Sequence, residues 1–203
     1  MRFEDVYREL AGKKYYVFSS EDLCAFFPKA KRSTVKQHLS RWKRSGLVAS
    51  VRKNLYELTY PGSYHVPDMY LANKIYAPSY VSLETALSHY SMIPDVSMSV
   101  TSITAKATRR FKNQHGLFTY RSVQTKAFCG YTIENHNGFD ILIAEPEKAL
   151  VDYVYFKTLR KTKLDIEALR LDKKKIRRLD RKKLETYSRL YGINTKGILD
   201  DHL

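Results

Sequence analysis

The stretch Lys31-Arg32-Ser33-Thr34-Val35-Lys36-Gln37-His38-Leu39-Ser40-Arg41-Trp42-Lys43-Arg44-Ser45-Gly46 constrains the chain more than any other. Val35, Leu39 and Trp42 recur at i, i+4 and i+7, so a helix here carries one narrow apolar stripe. The positions off the stripe are mostly basic, hydroxyl-bearing or amide-bearing. Gly46 follows the last periodic residue, where a left-handed C-terminal cap belongs. A helix this short and polar is stable only when its stripe is packed against something, so the flanking segments must supply a partner surface.

They do. Phe3, Val6, Tyr7 and Leu10 share one face of a helix ending near Gly12. Lys13 to Phe18 reads as a link or short strand carrying Tyr15, Tyr16 and Val17. Ser19, with Asp22 three residues on, forms a capping-box pattern. The helix it starts has Leu23, Phe26 and Phe27 on its apolar face and stops at Pro28. Lys29 to Arg32 makes the turn into the basic helix. After Gly46 the hydrophobic period drops to two: Leu47 to Val51 and Leu55 to Thr59 are β-rich around the turn Arg52-Lys53-Asn54. Helix, turn, helix and then hairpin is the order of a winged helix-turn-helix DNA-binding domain, expected over residues 1–62. The competing reading is a small three-helix protein-binding module with a solvated basic face.

In the winged reading the side chains divide by role. Ser33, Thr34, Lys36, Gln37, Ser40 and Arg41 are candidates for the major groove, where Gln37 can read adenine and Arg41 guanine with paired hydrogen bonds. Lys31, Arg32, Lys43 and Arg44 fit phosphate contacts or solvated charge, and Arg52 and Lys53 at the hairpin tip fit the DNA backbone. Trp42 belongs to the core. His38 borders the stripe and is read as a packing residue.

Charge supports a polyanionic partner. The 203 residues hold 36 Lys and Arg against 21 Asp and Glu, a net charge of +15. It is uneven: residues 1–64 carry 13 basic and 6 acidic side chains, residues 65–160 carry 10 and 8, and residues 161–203 carry 13 and 7. The nearly neutral middle therefore has a different task from the ends. Cys24 and Cys129 match no metal or redox spacing and read as small thiols in a reducing compartment. No apolar run is long enough to span a bilayer and the N-terminus does not read as a signal peptide, so the expectation is a cytoplasmic protein with no membrane partner.

Tyr60-Pro61-Gly62-Ser63 is the linker candidate, with an α+β domain expected over residues 63–203. Met69 to Ile75 is spaced as a short helix. Ser82 reads as the N-cap of another, with Leu83, Ala86, Leu87 and Tyr90 inward. Ser97 to Thr104 alternates like a half-buried strand. Asn113-Gln114-His115-Gly116 and Asn135-His136-Asn137-Gly138 carry hairpin chemistry, Asn137-Gly138 most strongly. Pro146 suits the first turn of a helix running to about Lys157, with Glu145 and Glu147 at its positive end and Leu150, Tyr153 and Val154 inward. The domain is thus expected to be a mostly antiparallel sheet with flanking helices.

No enzyme emerges from these residues. Glu145, Glu147 and Asp152 form a possible carboxylate cluster, but capping and dipole roles account for the first two. Ser88-His89 lacks a nucleophile elbow and an ordered acid. No phosphate-cradling glycine loop or zinc-protease motif is present, and His65, His115 and His136 match no ligand spacing. No cofactor and no metal site are expected.

The middle segment resembles the AbiEi family, antitoxins and transcriptional regulators of abortive-infection type IV toxin–antitoxin systems. The residues that carry the likeness are Tyr80-Val81-Ser82-Leu83-Glu84-Thr85-Ala86-Leu87, Ile93-Pro94, the Ser/Thr-rich strand Ser99 to Thr104, Phe118-Thr119-Tyr120-Arg121 and Ala144-Glu145-Pro146-Glu147-Lys148-Ala149-Leu150. With the winged helix before them, the resemblance covers roughly residues 15–160. It implies an N-terminal domain that binds and represses its own promoter in double-stranded DNA; since one such domain reads a short half-site, an inverted repeat bound by two copies is expected. It implies a C-terminal part that counters a nucleotidyltransferase-like toxin, AbiEii, without needing a stable complex with it. From the residues alone, a stand-alone winged-helix regulator whose second domain senses a ligand or partner stays open, as does a nucleic-acid-processing enzyme.

Residues 161–203 read as a short helical tail. Leu164 to Leu169 is one helix, and Asp180 caps another running to Tyr191 before Gly192, with Leu184, Tyr187 and Tyr191 inward. Lys173, Lys174, Lys175, Arg177, Arg178, Arg181, Lys182 and Lys183 crowd the connection, as a solvated face, a second DNA-backbone contact or a surface for an acidic partner.

Overall fold

The periodicities of the first sixty residues become helices α1 (Phe3–Gly12), α2 (Ser20–Phe26) and α3 (Arg32–Arg44), and strands β1 (Val17–Ser19), β2 (Val48–Arg52) and β3 (Leu55–Leu58). The computed structural model describes residues 1–60, 66–94, 98–159 and 170–194. The capping box that starts α2 is complete: the Ser19 hydroxyl accepts from the Asp22 N–H while the Asp22 carboxylate accepts from the Ser19 N–H. Helix α3 ends as its glycine requires. Gly46 sits at φ +69°, its N–H reaches the Lys43 carbonyl, and the Leu47 N–H reaches that of Trp42. These two bonds are a Schellman cap, which satisfies carbonyls that water would otherwise have to serve.

The three strands form an antiparallel sheet in the order β1-β3-β2. Alternation gives each strand two faces. Phe18, Val48 and Leu58 pack with Phe3, Val6, Leu10, Leu23, Val35, Leu39 and Trp42 in one core. Trp42 is 3% exposed and meets Phe3 edge-on at 5.4 Å. Burying the stripe of Val35, Leu39 and Trp42 is worth about 1.5–3 kcal/mol per side chain, which outweighs the weak intrinsic stability of a short polar helix.

The opposite face of this sheet carries Val17, Val51 and Leu55, and these join the core of the second sheet. That sheet contains β4 (Ser79–Val81), β5 (Ser99–Thr104), β6 (Arg109–Asn113), β7 (Gly116–Ser122), β8 (Tyr131–His136) and β9 (Phe139–Ala144), in the order β6-β7-β5-β4-β9-β8. Pairs β6/β7, β4/β5 and β8/β9 are antiparallel; β5/β7 and β4/β9 are parallel. Both expected hairpins form, and Asn137 and Gly138 take φ of +52° and +87°, as a primed two-residue turn demands.

Helices α4 (Asp68–Ile75), α5 (Leu83–His89), α6 (Pro146–Thr158), α7 (Lys173–Ile176) and α8 (Arg181–Tyr191) complete the described elements, with a 3-10 turn at Thr125–Ala127. Paired residues share a face of the sheet. Tyr120, level with Ser102, gives its hydroxyl to the Ala72 carbonyl of α4. Tyr80, level with Ile103, gives its hydroxyl to Asp152 of α6. Helices α4 and α6 therefore lie on opposite faces. The architecture is a mixed α+β fold whose two sheets are mostly antiparallel.

Strand β4 departs from the sequence reading, which has only a helix cap in this region. Ser79, Tyr80 and Val81 are all buried, on both faces, so they show no alternation. The tail behaves as expected from Asp180 onward: its carboxylate caps α8 and Gly192 ends it in the left-handed conformation. Linker residues Pro61 to Ser63 and the expected helix Leu164 to Leu169 lie outside the described residues. No helix among the described residues is long and apolar enough to cross a membrane.

Candidate nucleic-acid interface

At 100° per residue, the stripe of Val35, Leu39 and Trp42 turns Ser33, Gln37 and Arg44 directly outward. All three are exposed, as are Lys31, Arg32, Lys36, Ser40, Arg41 and Lys43. The candidates then separate into two flanks. Lys36, Ser40 and Lys43 line a cleft of about 550 Å³ shared with Lys53 and Asn54 of the β2–β3 turn. Thr34 is half-buried and faces the other way, lining a cleft with Lys31, Phe26 and Phe27. It is therefore set apart from the groove-facing set in which the sequence places it.

Arg41 leans toward that second flank. Its guanidinium lies 2.6 Å from Nδ1 of His38. Burial, and then the neighbouring Arg41 charge, hold the His38 pKa below its ordinary value. The neutral imidazole thus accepts from Arg41 while its ring packs on Trp42 at 5.3 Å. His38 is a packing residue, as read, and it also tethers Arg41.

The β2–β3 turn is held from α2. Asn54 sits at φ +59°. Its side chain accepts weakly from the Ser20 N–H at 3.4 Å and donates to the Glu21 carboxylate. That bond from Asn54 is the main reason the Glu21 pKa is lowered. The turn therefore presents Lys53 beside α3 on a short brace.

Arg52 does not join Lys53. The register shifts between Ser50 and Arg52, so that Ser50 pairs with Tyr56 and Arg52 with Leu55. This bulge puts Arg52 on the face of Leu55, away from α3. Its guanidinium carbon is 5.9 Å from the Phe111 ring centre, and its buried Nε has no hydrogen-bond partner among the described residues. The expectation that Arg52 and Lys53 form one cationic tip is corrected accordingly. Counting alternation from Val48 hides the effect, because one extra residue reverses the face.

The hairpin is also fastened to the second sheet. Asn113 donates to the Val51 carbonyl at 3.0 Å, and Gln114 to Glu57 at 2.8 Å. His115 Nε2 lies 2.8 Å from both Glu57 oxygens, with its Nδ1 3.3 Å from Asp68. Tyr16 packs on Phe139 at 5.4 Å.

Two further polar groupings join residues that lie far apart in the sequence. In the first, Lys148 and Asp152, one turn apart on α6, are both fully buried and ion-paired. The Asp152 carboxylate also accepts from Ser82 at 2.7 Å, Tyr80 at 3.1 Å and Tyr191 at 2.5 Å. Burial, and then the Asp152 charge, hold the Tyr80 and Tyr191 hydroxyls far above their ordinary pKa. Beside this network, Glu145 accepts from Tyr187 at 2.8 Å and Lys183 at 3.0 Å, and Glu147 accepts from the Asp180 N–H at 3.0 Å. The side chain of Glu145 makes no cap bond. These carboxylates hold the tail rather than cap α6. The other cations of the 173–183 run are exposed.

The second grouping is His89, Glu134 and His136. Both Nε2 atoms approach Glu134 Oε2, His89 at 2.9 Å and His136 at 3.1 Å. Tyr90 places its hydroxyl 2.9 Å from Glu134 Oε1 and 2.9 Å from the Ala144 carbonyl. Burial by itself raises the Glu134 pKa, but the bonds from His136, Tyr90 and His89 outweigh it and keep the carboxyl below its ordinary value. Spacing along the chain links His136 to no partner.

No protein-family model and no curated protein matches the chain.

Proposed function

We propose that residues 1–60 form a winged helix whose recognition element is α3, and that the protein is a DNA-binding autorepressor and antitoxin of the AbiEi type. The observation that carries the DNA-binding part is the exposed flank of α3. Lys36, Ser40 and Lys43 face a cleft that Lys53 closes from the hairpin, and Gln37 and Arg44 stand at the crest. Lys36, Lys43, Arg44 and Lys53 form no ion pair among the described residues; the one carboxylate lining the same cleft, Glu21, is engaged by Asn54. Backbone contact through Lys36, Lys43 and Lys53 sets register, and Gln37 and Ser40 reach base edges. Arg41 reads a base only after leaving His38. Arg52 takes no part.

The antitoxin part rests on the likeness of residues 80–150 to AbiEi proteins, with a nucleotidyltransferase-like toxin as the functional partner. One such domain reads a short half-site, so two copies on an inverted repeat are expected.

The test is binding of the full chain to its own promoter and to random DNA over a salt series. Selective binding with a steep salt slope supports the reading; equal affinity for both removes the operator. Growth rescue on co-expression with a neighbouring nucleotidyltransferase-like toxin tests the antitoxin role, and failure to rescue leaves a stand-alone regulator.

A further inference from the structure

From the convergence of His89, Glu134 and His136 on one point, we propose a binding site for a divalent transition metal of the zinc type. The site is built locally. Glu134 and His136 are two apart on edge strand β8 and so share a face. His89 is the last residue of α5 and is carried over to them.

One ligand atom from each residue falls within 4.8 Å of the other two. An ion about 2.0–2.1 Å from each ligand atom in a tetrahedral shell needs those atoms roughly 3.3 Å apart. The two nitrogen-to-oxygen separations, 2.9 and 3.1 Å, are short of this by only a few tenths of an ångström. The remaining pair, the two imidazole nitrogens, lies within 4.8 Å, so side-chain rotation has to bring all three atoms to the required spacing. Both nitrogens aim at the same carboxylate oxygen, Oε2. The other, Oε1, is occupied by the Tyr90 hydroxyl, which orients the carboxylate as an outer-shell partner does.

The donor set selects the ion class. Two imidazoles and one carboxylate suit zinc and its first-row neighbours rather than calcium or magnesium, which take mainly oxygen. Three protein ligands leave a fourth position for water or an outside ligand. Side-chain exposures of 24%, 29% and 32% let a hydrated ion reach the site while its surroundings stay partly desolvated. Each imidazole must then carry its proton on Nδ1, so that two N–H···O bonds are exchanged for two nitrogen–metal bonds.

His115 provides the contrast. It also touches two acids, but with opposite ring nitrogens: Nε2 toward Glu57 and Nδ1 toward Asp68. Its contacts diverge, and no single point collects three ligand atoms.

The experiment uses the full-length protein freed of metal by a chelator. Zn²⁺ is titrated calorimetrically, and Co²⁺ is followed by its visible absorption. The expected result is one saturable equivalent, a Co²⁺ spectrum of low coordination number, and a higher melting temperature with Zn²⁺. His89→Ala, His136→Ala and Glu134→Gln should each weaken binding at least about tenfold, and Tyr90→Phe by about tenfold or less. His115→Ala should leave it unchanged. Circular dichroism establishes that each variant is folded. If the folded wild type takes up no saturable ion, or if a folded His89→Ala/His136→Ala double variant binds as well as wild type, the site does not exist. Loss of binding in His115→Ala alone would also overturn it. None of these outcomes depends on DNA binding.

Discussion

Helices α3 and α6 both carry lysines, and the fold uses the charge in opposite ways. On α3, Lys36 and Lys43 face water and form no ion pair among the described residues. On α6, Lys148 and Asp152 have no exposed surface and are surrounded by the hydroxyls of Tyr80, Ser82 and Tyr191. An exposed, unpaired cation costs the fold little and keeps its full attraction for an anion from outside. A buried pair is inaccessible to partners, and its removal is felt by the fold itself. The α3 charges can thus be exchanged with little structural penalty, whereas the α6 charges fix where strand β4, helix α6 and the tail sit.

The largest expected effect is on stability. Asp152→Ala leaves the Lys148 ammonium buried without its counter-ion and should cost about 3–5 kcal/mol in urea unfolding. Replacing both, as Lys148→Met with Asp152→Leu, should cost clearly less than either single change. A loss below about 1 kcal/mol for Asp152→Ala would erase the distinction between the two helices.

Next comes the triple change Lys36→Ala, Lys43→Ala and Lys53→Ala. It should weaken binding to all DNA sequences alike and flatten the plot of log affinity against log salt by about three. Unfolding free energy should stay within about 0.5 kcal/mol for each substitution. An unchanged salt slope would show that the open face of α3 is merely solvated.

Gln37→Ala should cost about 1–3 kcal/mol of operator discrimination and leave non-specific binding nearly intact, as measured by competition with random DNA. Arg52→Ala should leave the salt slope unchanged and lower stability by about 1 kcal/mol, since its guanidinium lies over Phe111 and not over the α3 cleft. A slope reduced by one would put Arg52 back on the DNA side.

The smallest effect is on acid stability. The Glu145 carboxyl is held below its ordinary 4.5: burial raises it, but the bonds from Tyr187 and Lys183 prevail. A depressed carboxyl pKa stabilises the fold fully above the unfolded value and ceases to do so as pH falls through the folded value. Protection factors of the α8 amides, corrected for the intrinsic pH dependence of exchange, should therefore fall below about pH 4.5, and Glu145→Gln should flatten that dependence.

Much of this organisation is legible along the chain where the signal is local. The stripe Val35, Leu39, Trp42 marks α3, Ser19 with Asp22 starts α2, and Asn137-Gly138 closes a hairpin, because each acts through neighbours a few residues away. Four features are not legible. Strand β4 is short and buried on both sides, so it has no period to detect. The face of Arg52 depends on a bulge whose extra residue looks like any other in the sequence. The Lys148–Asp152 pair resembles an ordinary surface i,i+4 pair until Tyr80 and Tyr191 close over it from distant segments. The triad of His89, Glu134 and His136 is hidden for the same reason, since its members meet only when α5 approaches the sheet edge.

The fastening of the β2–β3 hairpin has a thermodynamic consequence. Val51 accepts from Asn113, and Glu57 from Gln114 and His115, so the turn between β6 and β7 is bonded to the strands that present Lys53. Linkage between two sites is reciprocal in binding free energy. If α3 binds DNA as proposed, a molecule whose binding at the β6–β7 turn alters the affinity for DNA must have its own affinity altered by DNA by the same factor. On that reading, occupancy of α3 by DNA would be felt at a surface that never touches the double helix.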